Sequence, residues 1–210
     1  MIILGVDPGT LVTGYGVIST RSNETEAPTK RKSGKTSHPS AFRVIEYGTI
    51  ESKRIATLPA RLEMIFNRLN AVIERTMPDE FAIETAFYHK NIQSTLKLGH
   101  ARGVAMLSAV LKQLPLGEYA PREVKRAVVG NGNASKEQVE FMVRQMLALD
   151  PDDLKLPDAY DALAVAMTHA LRINSSLTTG TNLTSSTKAK GKSGKSSWKQ
   201  FVAQNPDRIR

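Results

Sequence analysis

The sequence predicts an α/β fold, a five-stranded mixed sheet (three antiparallel strands, two added parallel) flanked by helices. Three observations predict it. Short apolar runs at Ile2–Val6, Phe81–Glu84 and Leu116–Tyr119 read as buried strands. Longer stretches carry apolar residues at helical spacing. Three strand patterns come first with no helix among them, and the remaining strands alternate with helices, in the order βββαβαβα.

The first strand, Ile2 to Val6, stops at Asp7, because Pro8 and Gly9 cannot continue it. A carboxylate therefore stands where a central strand leaves the core, the place where open α/β sheets bind ligands. A metal or phosphate role and a strand-ending Asx-turn both fit Asp7 alone. Thr13–Thr20 forms the second strand, in which Gly14 and Gly16 alternate and admit close approach of another backbone or a ligand. Ala41–Ile50 supplies the third strand, completing an antiparallel meander.

Leu62, Ile65, Phe66, Leu69 and Ile73 place a helix over Leu58–Thr76, ended by Met77-Pro78-Asp79. Phe81–Glu84 is a buried strand that again finishes on a carboxylate. A helix over Ser94–Leu114 carries Gly99, Ala101, Gly103, Ala105, Ser108 and Ala109. So many small residues suit close packing on another helix, of the same chain or of a second subunit. After the strand Leu116–Tyr119, Pro121 suits a helix's first turn, and that helix runs to Val129. Ser135-Lys136-Glu137-Gln138 has capping-box spacing and opens a helix to Leu149. Pro157 begins the last helix, expected to end near Ile173.

The domain expected from this pattern covers residues 1–172, with a basic low-complexity insertion at 22–40 and a basic tail over 173–210. The chain has 210 residues, no cysteine and a net charge of +9. Without cysteine there is no disulfide framework and no thiolate metal site, which fits a cytoplasmic location. No apolar run approaches a membrane span, and the apolar start lacks the basic region of a signal peptide. In the tail, seven Lys and Arg stand against Asp207, a net of +6. Residues 21–40 hold five Lys and Arg against Glu24 and Glu26, a net of +3, so the remainder is near neutral. Segments of this kind attract polyanions loosely.

Four carboxylates stand out by placement. Asp7 and Glu84 each end a strand. Asp158 and Asp161, spaced i,i+3, share one face near the start of the last helix. Capping accounts for Asp158 on its own. It accounts poorly for Asp161, which lies deeper among apolar residues and needs a partner. If the four meet, they require cations to stay ionised. All-oxygen donors suit Mg²⁺ or Mn²⁺ rather than zinc. Two such ions about 3.5–4 Å apart bracket a scissile phosphate, one activating water and the other stabilising the leaving oxygen. Phosphodiester hydrolysis is the chemistry that fits. His169 reads as a packing or capping histidine.

The chain resembles the RuvC family of bacterial Holliday-junction resolvases, in the RNase H-like superfamily. The resemblance rests on Gly5-Val6-Asp7-Pro8-Gly9-Thr10 with Gly14-Tyr15-Gly16, and on Ala82-Ile83-Glu84 with Phe87 and Lys90-Asn91. It continues through Leu98 to Gly103, Tyr119 to Lys125, Val128-Val129-Gly130 and Asp158 to Ala164, in order over residues 1–172. The opening Asp-Pro-Gly-Thr alone is shared with the phosphate loops of sugar kinases and actin-like ATPases. A kinase reading lacks a second glycine-rich loop and a larger two-lobed chain.

The resemblance implies an RNase H-like fold and a homodimer that binds a four-way DNA junction. It implies paired nicks in strands of like polarity at a T-rich sequence. Asp7, Glu84, Asp158 and Asp161 would be catalytic and hold two Mg²⁺ ions, with Mn²⁺ able to substitute. RuvA–RuvB would be the partner machinery. The small-residue helix would supply much of the dimer interface. Phe87, otherwise a core residue, would stack on an unpaired base. Lys125 and Lys136 match family lysines near the site, and Lys90, Arg102, Arg122 and Arg126 would extend a DNA-binding surface. The insertion and the tail are longer than the family pattern and would add non-specific DNA affinity through counterion release or serve as linkers. The rival readings are an RNase H-like nuclease acting on RNA or single strands, and a junction-binding module without activity.

Overall fold

The computed structural model describes residues 1–20, 41–85, 91–149 and 156–180, with side chains to residue 174. Phe87, Lys90, the 22–40 segment and most of the 173–210 tail lie outside the described residues. The elements are β1 (Ile2–Asp7), β2 (Val12–Thr20), β3 (Phe42–Glu51), α1 (Leu58–Thr76), β4 (Glu80–Glu84), α2 (Ile92–Leu111), β5 (Leu116–Tyr119), α3 (Pro121–Val129), α4 (Lys136–Leu147) and α5 (Pro157–Gly180). The sheet order is β3-β2-β1-β4-β5. β1 pairs antiparallel with β2 and parallel with β4, and β4 pairs parallel with β5. This is the mixed sheet expected from the sequence.

The strand period of two sends side chains into two cores. From β1, Leu4 and Val6 enter the core beneath α1 and α2, with Ile65, Leu69, Phe81, Ile83 and Ala105. Ile3 enters the core beneath α3, α4 and α5, with Ile18, Ala82, Val139, Leu163 and Met167. β1 is therefore covered on both faces, as its unbroken apolar run requires.

Four helix ends differ from the sequence expectation, each for a local reason; α4 ends at Leu147 rather than Leu149, because Ala148 takes a left-handed φ of 51°. α2 begins at Ile92 because the Asn91 side chain caps it, accepting from the backbone N–H of Gln93 at 2.9 Å and of Ser94 at 3.3 Å. It ends at Leu111, where Gln113 adopts a left-handed φ of 57° and the chain turns into Pro115. α5 runs past Ile173 to Gly180, because no Pro or Gly interrupts the stretch before Gly180.

α5 lies unusually close to the sheet. A Cβ on Gly5 would sit 2.2 Å from the Ala162 carbonyl oxygen and 2.7 Å from the Ala166 nitrogen. A Cβ on Gly14 would sit 1.9 Å from the Asp158 carbonyl oxygen. Of the alternating glycines of β2, Gly14 thus faces a backbone, one of the two alternatives their pattern left open, while Gly16 faces the Leu163 side chain. α5 complements them with Ala159, Ala162, Ala164 and Ala166, all fully buried.

Gly5→Ala should push α5 off β1. The expected loss is about 1–3 kcal/mol or more, the scale of overpacking a filled core. A fall in the urea denaturation midpoint, relative to a surface control such as Gln145→Ala, checks it.

Candidate active site

Parallel pairing of β1 with β4 sets Val6 beside Ile83, so Asp7 and Glu84, the next residues, leave the sheet side by side. Neighbouring strands are about 4.8 Å apart, which brings these two carboxylates within reach of each other. Each acts on the other's proton affinity, and the charge of Glu84 helps raise the Asp7 pKa. The Gly14 contact lays the first turn of α5 over the same strand ends, since Gly14 pairs with Asp7. Asp7, Asp158 and Asp161 each then offer a carboxylate oxygen, all within 4.8 Å of one another. Three of the four predicted acids form this cluster, and Glu84 lies beside it, close enough for its charge to raise Asp7 and for Asp161 to raise Glu84.

The turn after Asp7 is held from outside. Thr13 Oγ1 donates to the Gly9 carbonyl at 2.7 Å. Ser52 Oγ donates to the Thr10 carbonyl at 2.7 Å, and the Ser52 N–H donates to the Leu11 carbonyl at 2.9 Å. Thr13 and Ser52 are both buried. The sequence singled out neither, because a Ser or Thr near a strand end carries no local sign of the carbonyl it will meet.

Crowding shows in the proton affinities. Burial, followed by the charges of Glu84, Asp161 and Asp158, raises the Asp7 pKa well above the usual carboxylate range. Burial and then Asp161 push Glu84 up to about 7. Burial raises Asp161 as well, against the pull of Lys136. The Lys136 Nζ donates to Asp161 Oδ2 at 2.5 Å. Burial, the largest single influence, opposes its charge, but the Asp161 bond together with the charges of Asp161, Asp158 and Asp7 outweighs it and raises its pKa. Lys125 lies near enough to lower Glu84 and Asp161.

The other predicted residues divide. Arg122 is exposed on α3, and its stem packs where a side chain on Gly132 would stand. Arg126 is exposed on the same helix. Arg102 is ion-paired with Glu118 of β5, so its charge is already matched within the chain. That pairing spans two elements and has no local sequence signature. His169 is buried and fills the packing role expected of it. Its Nδ1 lies 2.7 Å from the Tyr119 hydroxyl and its Nε2 3.4 Å from Glu80 Oε2.

The donor set fits divalent cations. It is all carboxylate, it is crowded enough to retain protons without a counter-charge, and it lies at the carboxyl ends of parallel strands. Sheet topology and site together define an RNase H-like fold carrying an acidic centre of the kind that suits divalent cations. The family model described as "Crossover junction endodeoxyribonuclease RuvC" matches residues 3–169. The protein of that name from Porphyromonas gingivalis is 40% identical over 211 residues, covering 100% of this chain and 97% of its own. Its namesake from Chloroherpeton thalassium is 41% identical over 206 residues, covering 98% and 97%. Among solved structures, "T. thermophilus RuvC in complex with Holliday junction substrate" superposes with a TM-score of 0.70 at 27% identity, covering 84% of this chain and 96% of its own. The chain belongs to the RuvC family.

The raised carboxylates fix the sign of a pH effect. Without metal, Glu84 has a folded pKa of about 7 against 4.5 unfolded. Its contribution favours the fold below pH 4.5 and is lost as pH rises through 7. In EDTA, stability should therefore fall from pH 5 to pH 8 by up to about 3 kcal/mol through this group. Added Mg²⁺ should raise the melting temperature more at pH 8 than at pH 5. Thermal denaturation at both pH values, with EDTA or Mg²⁺, checks both parts.

Proposed function

We propose that this chain is a Holliday-junction resolvase, cutting four-way DNA junctions by paired symmetric nicks in strands of like polarity. The observation that carries the reading is the cluster of Asp7, Asp158 and Asp161, with Glu84 near enough to act on Asp7 by its charge, in a chain of the RuvC family. The four carboxylates would hold two Mg²⁺ ions. Those ions, when bound, would supply an activated water and charge stabilisation at the leaving oxygen. Asp7, central among the acids and held by the fixed turn, sets the position of the scissile phosphate. Lys136 and Lys125 supply positive charge on the side facing DNA. Arg122 and Arg126, exposed on α3, extend that surface to neighbouring phosphates. The basic segments over 21–40 and 173–210 add salt-sensitive, non-specific affinity. The reading includes a cytoplasmic location, a T-rich cleavage preference and cooperation with RuvA–RuvB. Among the described residues, no helix is long and apolar enough to cross a membrane.

The decisive experiment offers the protein and Mg²⁺ a synthetic four-way junction beside linear duplex, single strands and an RNA–DNA hybrid. Paired nicks confined to the junction are expected. Equal cutting of linear duplex or of the hybrid would sink the reading. Asp7→Asn should lower the single-turnover rate by at least about a hundredfold, the scale of losing one electrostatic contributor to the transition state.

Paired nicks need two sites in fixed relation, and α2 supports a homodimer. Its inner face, Ala101, Ala105, Ser108 and Ala109, is buried. Its outer face exposes Ile92, Leu96, Leu107, Val110 and Leu111. Gly99 and Gly103 lie between these groups, and a Cβ on either would meet nothing within 4 Å. An exposed apolar stripe with a small-residue centre suits a second copy of the same helix. Gly103→Glu with Leu107→Glu should leave the fold intact, yield monomers in sedimentation velocity and abolish paired nicking.

A further inference from the structure

α5 carries Tyr160 between two of the site acids, and its ring is 1% exposed within the core that α5 shares with α3 and α4. Its hydroxyl emerges on the α4 side and accepts a hydrogen bond from Arg144 Nε at 2.7 Å. The same guanidinium lies 5.1 Å from the Tyr160 ring centroid. Glu140, one turn earlier on α4, holds it from the other side at 2.9 Å. We propose that Arg144 and Tyr160 form a positioning clamp that holds the first turns of α5 at the rotation its aspartates need to share a divalent cation with Asp7. The proposal rests on the metal-dependent nuclease reading and adds to it two residues outside the carboxylate cluster.

The geometry shows what the clamp resists. Asp7, Asp158 and Asp161 bring like charge within 4.8 Å, which drives the start of α5 away from β1. The contacts at Gly5 and Gly14 set how near α5 lies to the sheet. Gly5 and Gly14 meet the helix backbone, and Gly16 beside them receives the Leu163 side chain. α4 adds polar restraint on the turn that carries the aspartates, at two points. Lys136, its first residue, reaches Asp161, and Arg144 reaches Tyr160. Eight residues of helix separate Lys136 from Arg144, about 12 Å along the axis. Tyr160 and Asp161 are consecutive on α5 and leave it about 100° apart. The two ties therefore diverge from one turn of α5 toward separate points on α4. Rotating α5 to relieve the carboxylates stretches at least one of them. Lys136 loses its hold once a cation competes for Asp161, whereas the Tyr160 tie is independent of site charge.

Tyr160→Phe deletes only the hydroxyl and keeps the buried ring, and Arg144→Met keeps an apolar stem without the guanidinium. Mn²⁺ alone is the probe, titrated into wild type and both variants and followed by electron paramagnetic resonance. Junction cleavage against Mg²⁺ concentration is measured in parallel. Both variants should keep the wild-type far-ultraviolet circular dichroism spectrum. Mn²⁺ affinity should fall about tenfold, within the range for residues that orient metal ligands. The Mg²⁺ concentration for half-maximal cleavage should rise by the same factor, with the rate at saturating Mg²⁺ near wild type. If wild type binds Mn²⁺ and both variants bind it equally well, the clamp is overturned and the nuclease reading stands. A loss of saturating rate without a change in Mn²⁺ affinity overturns it too. If wild type takes up no Mn²⁺, the metal reading falls and the clamp with it.

Discussion

The closeness of α5 to the sheet is the constraint on which the rest of the structure depends. A helix normally packs on a sheet through side chains. Here the backbone of α5 rests on the bare backbone of β1 and β2, at Gly5 and Gly14. That contact lets short aspartate side chains on a helix reach an aspartate on a strand end. With ordinary side chains between the layers, Asp158 and Asp161 would stand too far from Asp7 to share a cation. The composition of α5 follows from the same constraint. It places Ala162 and Ala166 over Gly5 and seats the larger Leu163 on Gly16, the glycine that leaves space for it.

The price of the arrangement is electrostatic. Burial and mutual repulsion raise Asp7, Glu84 and Asp161 together, so the metal-free site retains protons that isolated carboxylates would release. The surrounding structure is built to hold this strain. Thr13 and Ser52 fix the turn behind Asp7, Lys136 matches part of the charge on Asp161, and the ties from α4 restrain the helix. Such conflict between local stability and site geometry is usual where function sets the residues.

Much of the architecture was legible from pattern alone. Leu58–Thr76 and Pro121–Val129 form helices with the bounds their spacing and prolines indicate, and the five strands occupy their expected places. The ends of α2 were less legible, because Asn91 acts as a cap only through its side-chain geometry and Gln113 has no composition that announces a left-handed turn. The acids were legible as candidates because each breaks an apolar pattern at an element's end. Arg102 was not legible as the partner of Glu118, since basic residues on a helix read alike until the facing strand is known. Arg144 lacked a local signal for the same reason.

The sequence by itself determined the elements, their order and the carboxylates that end or begin them, because hydrophobic periodicity and chain-breaking residues act over a few neighbours. It also bounded the chemistry, since all-oxygen donors and an absence of cysteine leave hard cations as the fitting ligands. Only the tertiary structure decided which charges are spent on one another and which face the site. It also decided that the small residues of β1 and β2 receive a helix, while Gly99 and Gly103 of α2 face open space. Those outcomes depend on contacts between residues far apart in the chain, such as Lys136 with Asp161 and Gly14 with Asp158, and such contacts exist only once the layers have packed.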